Sequence, residues 1–578
     1  MTNVDEENAN TVAISSQLER CPWINHYPDN IVWDQSFPAI PVYELFDQAV
    51  ASYASKTCTN FLGKSLTYGE LGEQVRHAAA GLHKLGVKKG SKVGLFLPNC
   101  PTFIVFYFAI LKLGGSVVNY NPLYTIEELT FQVKDSDTDM MVTLDLQALF
   151  KKVEALVEQG VLRTAVICSF PALLPAVKSV LFKLLKSKEL AQPQQSGIAK
   201  KLVMEAGLMK NDGKFPMAEI DPLNDLAVLQ YTGGTTGRPK GAMLTHANLS
   251  INVQQVLAWA PDMKRGEEKM MGLLPFFHVF AMTGVMNFGL ALGCEIIVMP
   301  RFVLDDALKL ITKHRPTIMP GVPTIFNAMM SHPKIKSFDL SSLKLCLSGG
   351  APLPLEIKRG FESMTGCTVV EAYGLSETSP AVTINPLHGP VKEGSIGQPL
   401  PATIVSLRDI GDCANEAPSG EKGEICIKGP QVMKGYWKRP EATAETMIGD
   451  YLRTGDVGIM DDEGFIFIVD RIKDLIICSG YNVYPRRIEE ALYLHDAVEE
   501  CTVIGIPDDY RGEAPKAFVK LVDGMAATEE ELMKHLEAHI SKIEMPAQIE
   551  FRDELPKTMI GKLSKKELVA EEAAKRAK

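Results

Sequence analysis

Apolar residues recur at helical spacing through "PVYELFDQAVASYA" and "YGELGEQVRHAAAGLHKLG", so residues 41 to 86 predict helices. "KVGLFLP" reads as a buried strand, "TFIVFYFAILKLGG" as a helix stopping at Gly114 and Gly115, and "SVVNYNP" as the next strand. Strand, helix, strand with short connections is a parallel α/β unit. The same texture returns at "DLAVLQY", "EIIVMP", "LKLCLSGG" and "TVVEAYG", without a repeat of fixed period.

After about residue 400 the pattern changes. "ATIVSLRD", "GEICIKG" and "GFIFIVDR" are short strands bounded by Gly, Asp and Pro, which predicts a small β-rich subdomain over about 400–470. From 471, strands and helices alternate in mixed order ("RRIEEALYLH", "ECTVIGIPD", "KAFVKLVD", "TEEELMKHLEAHI"), a compact α+β domain of about 105 residues. The expected division is therefore an extension over 1–40, a large α/β domain over 41–470 and a small domain over 471–578. "DRIKD" (470 to 474) at the join suits a hinge, and a plain linker would look the same.

One helix stands apart. In "LLPAVKSVLFKLLKSK" (173 to 188), Val177, Val180, Leu181, Leu184 and Leu185 share a face, with Lys178, Lys183, Lys186 and Lys188 around it. Such a helix lies on an anionic membrane surface, or packs on its own domain with its lysines in water.

Composition narrows the classes. The 578 residues exceed one ordinary core, and 46% hydrophobic with 22% charged residues is the balance of a globular protein. A formal charge of −10 argues against a mainly nucleic-acid-binding protein. The acidic start "MTNVDEENAN" lacks a signal's basic and apolar regions, and no apolar run reaches transmembrane length. The expected location is the cytoplasm, or the inner face of a membrane as a peripheral protein. The 11 cysteines form no CxxC and the 11 histidines no HExxH, so reduced, buried thiols are expected and a zinc site is not.

"YTGGTTGRPKGA" (231 to 242) follows the strand "LAVLQY" and carries the most specific chemistry. Its glycines let a backbone approach phosphate oxygens, Thr232, Thr235 and Thr236 add hydroxyls, and Lys240 adds charge. It is not a Walker A loop, because Lys240 follows Pro239 and precedes Gly241. The chain's "GKS" at Gly63 has Cys58 where the first Walker glycine belongs.

Together with this loop, "EAYGLSETSP" (371 to 380), "YLRTGDVG" (451 to 458), "DRIKDLII" (470 to 477), "GYNVYP" (480 to 485) and "PKTMIGKLSKKEL" (556 to 568) occur in the order found in adenylate-forming enzymes. Over roughly 40 to 570 the chain resembles that acyl-CoA synthetase superfamily. "YTGGTTG", "GVPTIFNAM" and "EAYGLSET" together most resemble its long-chain fatty acyl-CoA ligases.

The resemblance implies two half-reactions, acyl adenylation by ATP and then transfer of the acyl group to coenzyme A. It makes 41–470 the adenylation domain and 471–578 a domain that rotates between the half-reactions, with Asp470 the hinge. Thr232, Gly233, Gly234, Thr235, Thr236, Gly237 and Lys240 would clamp the β- and γ-phosphates. Glu377 would bind Mg²⁺, with Thr232 as a further oxygen. Glu371, Ala372, Tyr373 and Gly374 would lie along adenine with Gly349, Gly350 and Ala351 nearby, and Ser376 would meet phosphate. Asp456 would hold the ribose hydroxyls, with Arg471 and Lys473 on the nucleotide. Lys562 would offset charge growing on the α-phosphorus, and Gly480 and Tyr481 would serve the CoA step.

The acid pocket is expected around "LLPFFHVFAMTG". There His278 would act at the carboxylate site, and Phe277, Val279, Phe280 and Met282 would line a tunnel facing Val322 and Phe326. Some long-chain members carry a gate tryptophan where this chain has Met282, which leaves chain length open. The expected partners are a fatty acid, ATP and CoA, with no nucleic acid; a homodimer is also compatible. An aryl, 4-coumarate-like, medium- or branched-chain acid is the alternative substrate class. A catalytically silent relative would have lost Glu377, Asp456 or Lys562, and all three are present.

Overall fold

A computed structural model describes residues 21–232, 239–388, 391–479, 481–508, 510–558 and 561–576. Gly233, Gly234, Thr235, Thr236, Gly237 and Gly480 lie outside the described residues. The fold is mixed α/β, as expected, with four sheets among the described residues.

Two large sheets share one continuous apolar core. The first has seven strands, in spatial order Leu202–Met204, Thr164–Cys168, Met140–Leu144, Lys92–Phe96, Ser116–Asn119, Leu226–Thr232 and Lys240–Thr245. All its pairings are parallel except the last, so the phosphate-loop sequence joins two antiparallel neighbours at the sheet's edge. The second has nine strands, with Thr368–Gly374, Leu345–Gly349, Ile318–Gly321 and Lys269–Gly272 as consecutive neighbours near its middle. The helix Pro101–Lys112 is buried along its whole length, as a helix apolar on every side must be. Its one charge, Lys112, ion-pairs with Asp47 and sits 4.9 Å from the Tyr43 ring.

A third, antiparallel sheet contains Ile404–Arg408, Gly423–Lys428, Tyr451–Met460 and Ile466–Arg471. The turn Ile472–Asp474 leads from it into the last sheet, built on the long hairpin Val498–Asp508 and Gly512–Leu521. Period-two alternation gives that hairpin two apolar faces. Val503, Ala517 and Val519 face the helices Pro485–Tyr493 and Glu529–Glu537, while Ile504 and Phe518 meet Leu568 of the helix Lys565–Arg576.

The helix His246–Trp259 ties the second sheet to the third. Thr245 caps it, accepting at Oγ1 from the Asn248 N–H at 3.1 Å while Asn248 Oδ1 accepts from the Thr245 N–H at 2.9 Å. Buried amides then bind the helix to distant backbone. Asn248 donates to Pro430 and Val432, Asn252 to Ala381, and Gln255 to Pro401. All 11 cysteines are free thiols, ten of them buried. No described helix is long and apolar enough to cross a membrane.

Candidate active site

The ends of several strands meet at one cavity of about 410 Å³. Its polar end is lined by Thr232, Ser376, Glu377, Arg471, Lys473 and Lys562. Thr232 closes one strand and pairs in register with Lys240, whose ammonium lies 5.1 Å from the Tyr436 ring. The Tyr436 hydroxyl donates to Glu377 Oε1 at 2.7 Å, with burial and then this carboxylate raising the phenol's pKa. The sequence reading missed Tyr436, which sits in "KGYWKRP" outside the six motifs.

Asp456 and Arg471 are partners across two antiparallel strands. Arg471 Nε donates to Asp456 Oδ1 and the Tyr373 hydroxyl to Asp456 Oδ2, both at 2.7 Å. Asp456 raises the guanidinium's pKa further, so Arg471 stays charged although its side chain is only 45% exposed. Glu371 is buried and lies outside the cavity lining. Burial pushes its carboxyl up to about 7, against the pull of Arg486 and Lys358.

Lys562 enters from the C-terminal region. The carbonyl of its neighbour Gly561 accepts from Thr324 Oγ1 at 2.7 Å, which fixes the turn on the helix Pro323–Met330. Gly350 has φ +82°, and a Cβ there would come within 2.7 Å of Lys562 Cε, so glycine makes room for the lysine. Burial first and the Arg471 charge second lower the ammonium's pKa to about 8. His278 caps a short turn, its Nδ1 accepting from the Phe280 N–H at 3.3 Å. Burial, then Lys562, lowers it to about 3, so the imidazole is neutral. Asp470 accepts from the N–H groups of Arg471 and Arg486 at 2.8 and 2.9 Å, and burial raises its carboxyl to about 6.

Beyond His278 the cavity is apolar. Val279 and Phe280 line it, with Gly284 and Phe288. Phe277, Met282, Val322 and Phe326 lie outside its lining. Met282 Sδ instead accepts from Asn119 Nδ2 at 3.3 Å, the Phe277 carbonyl accepts from Gln230, and Phe326 packs edge-on against Phe361. Val322 underlies the Gly561 turn. Two other walls replace them. Ile318, Pro320, Leu345, Leu347, Gly349 and Ala372 share one face of the second sheet, as their register requires. Opposite are Val256, Trp259, Ala260 and Met263, at and just beyond the end of the helix His246–Trp259. The alternation in "LKLCLSGG" already puts Leu345 and Leu347 on the face of Gly349, a signal that could have found them.

Of the remaining expected positions, Gly350, Tyr373 and Gly374 line the same cavity, Ala351 adjoins Gly350, and Tyr481 is exposed and away from the lining. Glu377 and Thr232 present hard oxygens to one space. One carboxylate and one hydroxyl suit Mg²⁺, which takes most of its ligands from phosphate and water.

A charged pocket continuous with an apolar one is the shape needed to join an acid to a nucleotide. The sequence profile of the AMP-binding enzyme family matches residues 46–437, and that of the AMP-binding enzyme C-terminal domain matches 487–562. A long-chain-fatty-acid–CoA ligase of Bacillus subtilis is 43% identical over 555 residues, 95% of this chain and 98% of that protein. A feruloyl-CoA synthase of Amycolatopsis is 34% identical over 513 residues, covering 88% and 94%. Among solved structures, ATP-bound MatB from Rhodopseudomonas palustris superposes with TM-score 0.80 at 28% identity, covering 93% of this chain and 99% of that one.

Proposed function

The chain belongs to the AMP-binding enzyme family, and on that premise we propose that it is an ATP-dependent fatty acid–CoA ligase acting on long-chain acids. In the first half-reaction the carboxylate oxygen bonds to the α-phosphorus of ATP and the bond to pyrophosphate breaks. In the second, the CoA sulfur bonds to the acyl carbonyl carbon, AMP leaves with the bonding pair, and the thiol proton passes to solvent.

Each group contributes charge or position rather than covalent chemistry. The 231–242 loop clamps the departing β- and γ-phosphates. Asp456, held by Tyr373 and Arg471, accepts from the ribose hydroxyls, and Glu371 to Gly374 flank adenine with Gly349 to Ala351. Lys562 offsets charge on the α-phosphorus; its place beside Gly350 supports the first half-reaction as the arrangement seen here. His278, neutral at the neck, orients the carboxylate. Mg²⁺ bound by Glu377 and Thr232 would neutralise phosphate charge. Rotation about Asp470 would bring Gly480 and Tyr481 to the acyl-adenylate for CoA attack.

The observation that carries the long-chain reading is the apolar extension from His278 to Trp259 and Met263. Leu345 is four residues before Gly349 on one strand, roughly 13 Å away at strand rise. The test is pyrophosphate release with ATP, Mg²⁺ and palmitate, and CoA-dependent AMP formation across saturated and cinnamate-type acids. Palmitate should lead. Preference for ferulate or cinnamate would replace the alkyl reading with an aryl one, and no release with any acid would refute the enzyme.

We also propose that the helix Ala176–Leu185 rests on an anionic membrane surface. It buries no residue, and Val177, Leu184 and Leu185 are 72%, 71% and 79% exposed. Leu184→Glu with Leu185→Glu should reduce binding to phosphatidylglycerol vesicles while leaving activity on soluble short acids; unchanged binding would return the helix to an ordinary solvent face.

A further inference from the structure

The apolar end of the cavity is backed by a piece of chain that carries none of the six motifs. Trp259 lines the cavity and is buried, its indole Nε1 donating to the Asn385 carbonyl at 3.2 Å. On it rests Tyr27, ring to ring at 5.2 Å and 83°, which does not itself line the cavity. Tyr27 and Ile31 complete an apolar cluster with Trp259, Ile384 and Leu400, and Leu345 and Leu347 of the cavity wall pack on the same cluster.

The segment holding Tyr27 is fixed along its length. The Tyr27 hydroxyl donates to the Pro399 carbonyl. Gln398 Nε2 donates to the His26 carbonyl at 3.1 Å, and Trp33 Nε1 to the Thr403 carbonyl at 3.0 Å. The Ala402 N–H donates to the Trp33 carbonyl at 2.8 Å. Trp23 is fully buried against Gly464. These anchors run from the edge strand Gln398–Pro399 of the cavity-wall sheet to the turn at Gly464 in the third sheet, more than a strap that merely covers the domain would need. Trp259 thus stands between substrate space on one side and an anchored aromatic ring on the other. An indole free to swing out would lengthen the cavity; one pinned by Tyr27 and Asn385 ends it.

We propose that segment 21–33 sets the chain-length limit of the acid pocket, with Trp259 as the end stop and Tyr27 as the positioning residue that braces it. This rests on the reading of the apolar extension as the acyl site. The experiment compares kcat/KM for stearate and decanoate in wild type, Tyr27→Ala, Tyr27→Phe and Ala260→Leu. Tyr27→Ala should raise the stearate-to-decanoate ratio about tenfold, the scale at which apolar pockets discriminate by a methylene or more. Tyr27→Phe keeps the ring and should keep the wild-type ratio. Ala260→Leu fills the space beside Trp259 and should lower the ratio. If Tyr27→Ala is too unstable to assay, Tyr27→Val carries the same expectation. An unmoved ratio, or an equal fall for both acids, would overturn the brace. Failure of the wild type to activate either acid would instead overturn the acyl reading beneath it.

Discussion

Four charged side chains converge at one end of the cavity, Glu377, Arg471, Lys473 and Lys562, whereas the other end is walled by one face of a sheet and the end of a helix. The charged end draws on stretches separated by as much as 185 residues, from Glu377 to Lys562. Glu377 is oriented by the Tyr436 hydroxyl, Arg471 by Asp456, and Lys562 by a glycine that makes room for it. The apolar end needs no such device, because alternation along neighbouring strands brings Ile318, Leu345 and Leu347 to one face together. Charge must be placed atom by atom, since its energy depends on distance and partner. Apolar lining need only keep its face, so its identity can change, and under the proposed function its contour sets which acid fits.

Removing a charged group should therefore cost most. Lys562→Ala should slow adenylation about a hundred- to a thousandfold, the scale for losing one preorganised charge or donor, and spare thioester formation from supplied acyl-AMP. Equal losses in both half-reactions would break the contrast. The ammonium's lowered pKa adds a pH signature. It is charged below about 8 and neutral above, so kcat/KM for ATP should fall as pH rises through that value. In Lys562→Arg the fall should vanish from this range. His278, already neutral, should give no acid limb near neutral pH.

Asp456→Asn comes next. It preserves shape but weakens acceptance from both Tyr373 and Arg471 and leaves the guanidinium without its countercharge. KM for ATP should rise about tenfold or more, with KM for the acid unchanged. A rise confined to the acid's KM would place Asp456 outside the nucleotide site.

The same contrast explains what the sequence made legible. The α/β class, the β-rich sheet and the mixed C-terminal sheet followed from periodicity, and the charged positions from short motifs. The wall from His246–Trp259 did not. Asn248, Asn252 and Gln255 give that helix a polar face which reads as solvent-exposed, yet they are buried on distant carbonyls. Only long-range contacts distinguish a satisfied buried amide from a hydrated one. The resemblance puts Met282 and Phe326 in the tunnel, whereas neither lines this cavity, because position along the chain does not fix which side of a turn faces it. A bulky residue on the sheet wall tests whether this cavity takes the acyl chain. Leu347→Trp should lower kcat/KM for palmitate about tenfold relative to octanoate. Met282→Leu, outside the wall, should leave that ratio unchanged.

The smallest expected effect lies at the contact that fixes the turn before Lys562. Thr324 Oγ1 donates to the Gly561 carbonyl, and Asn327 Nδ2 to the Glu499 carbonyl at 3.2 Å, so the helix Pro323–Met330 holds the C-terminal region in the arrangement that delivers Lys562. Thr324→Val keeps the size and removes the hydroxyl. One lost hydrogen bond of this kind is worth about 0.5–1.5 kcal/mol, or roughly a two- to tenfold change. If the contact belongs only to the adenylating arrangement, pyrophosphate exchange should slow by that factor while acyl transfer from supplied acyl-AMP holds or quickens, because the competing arrangement is released. A thermal shift with equal slowing of both halves would make Thr324 a packing residue alone. The split between the two half-reactions therefore reports where the lysine is held, and a stability measurement by itself would not.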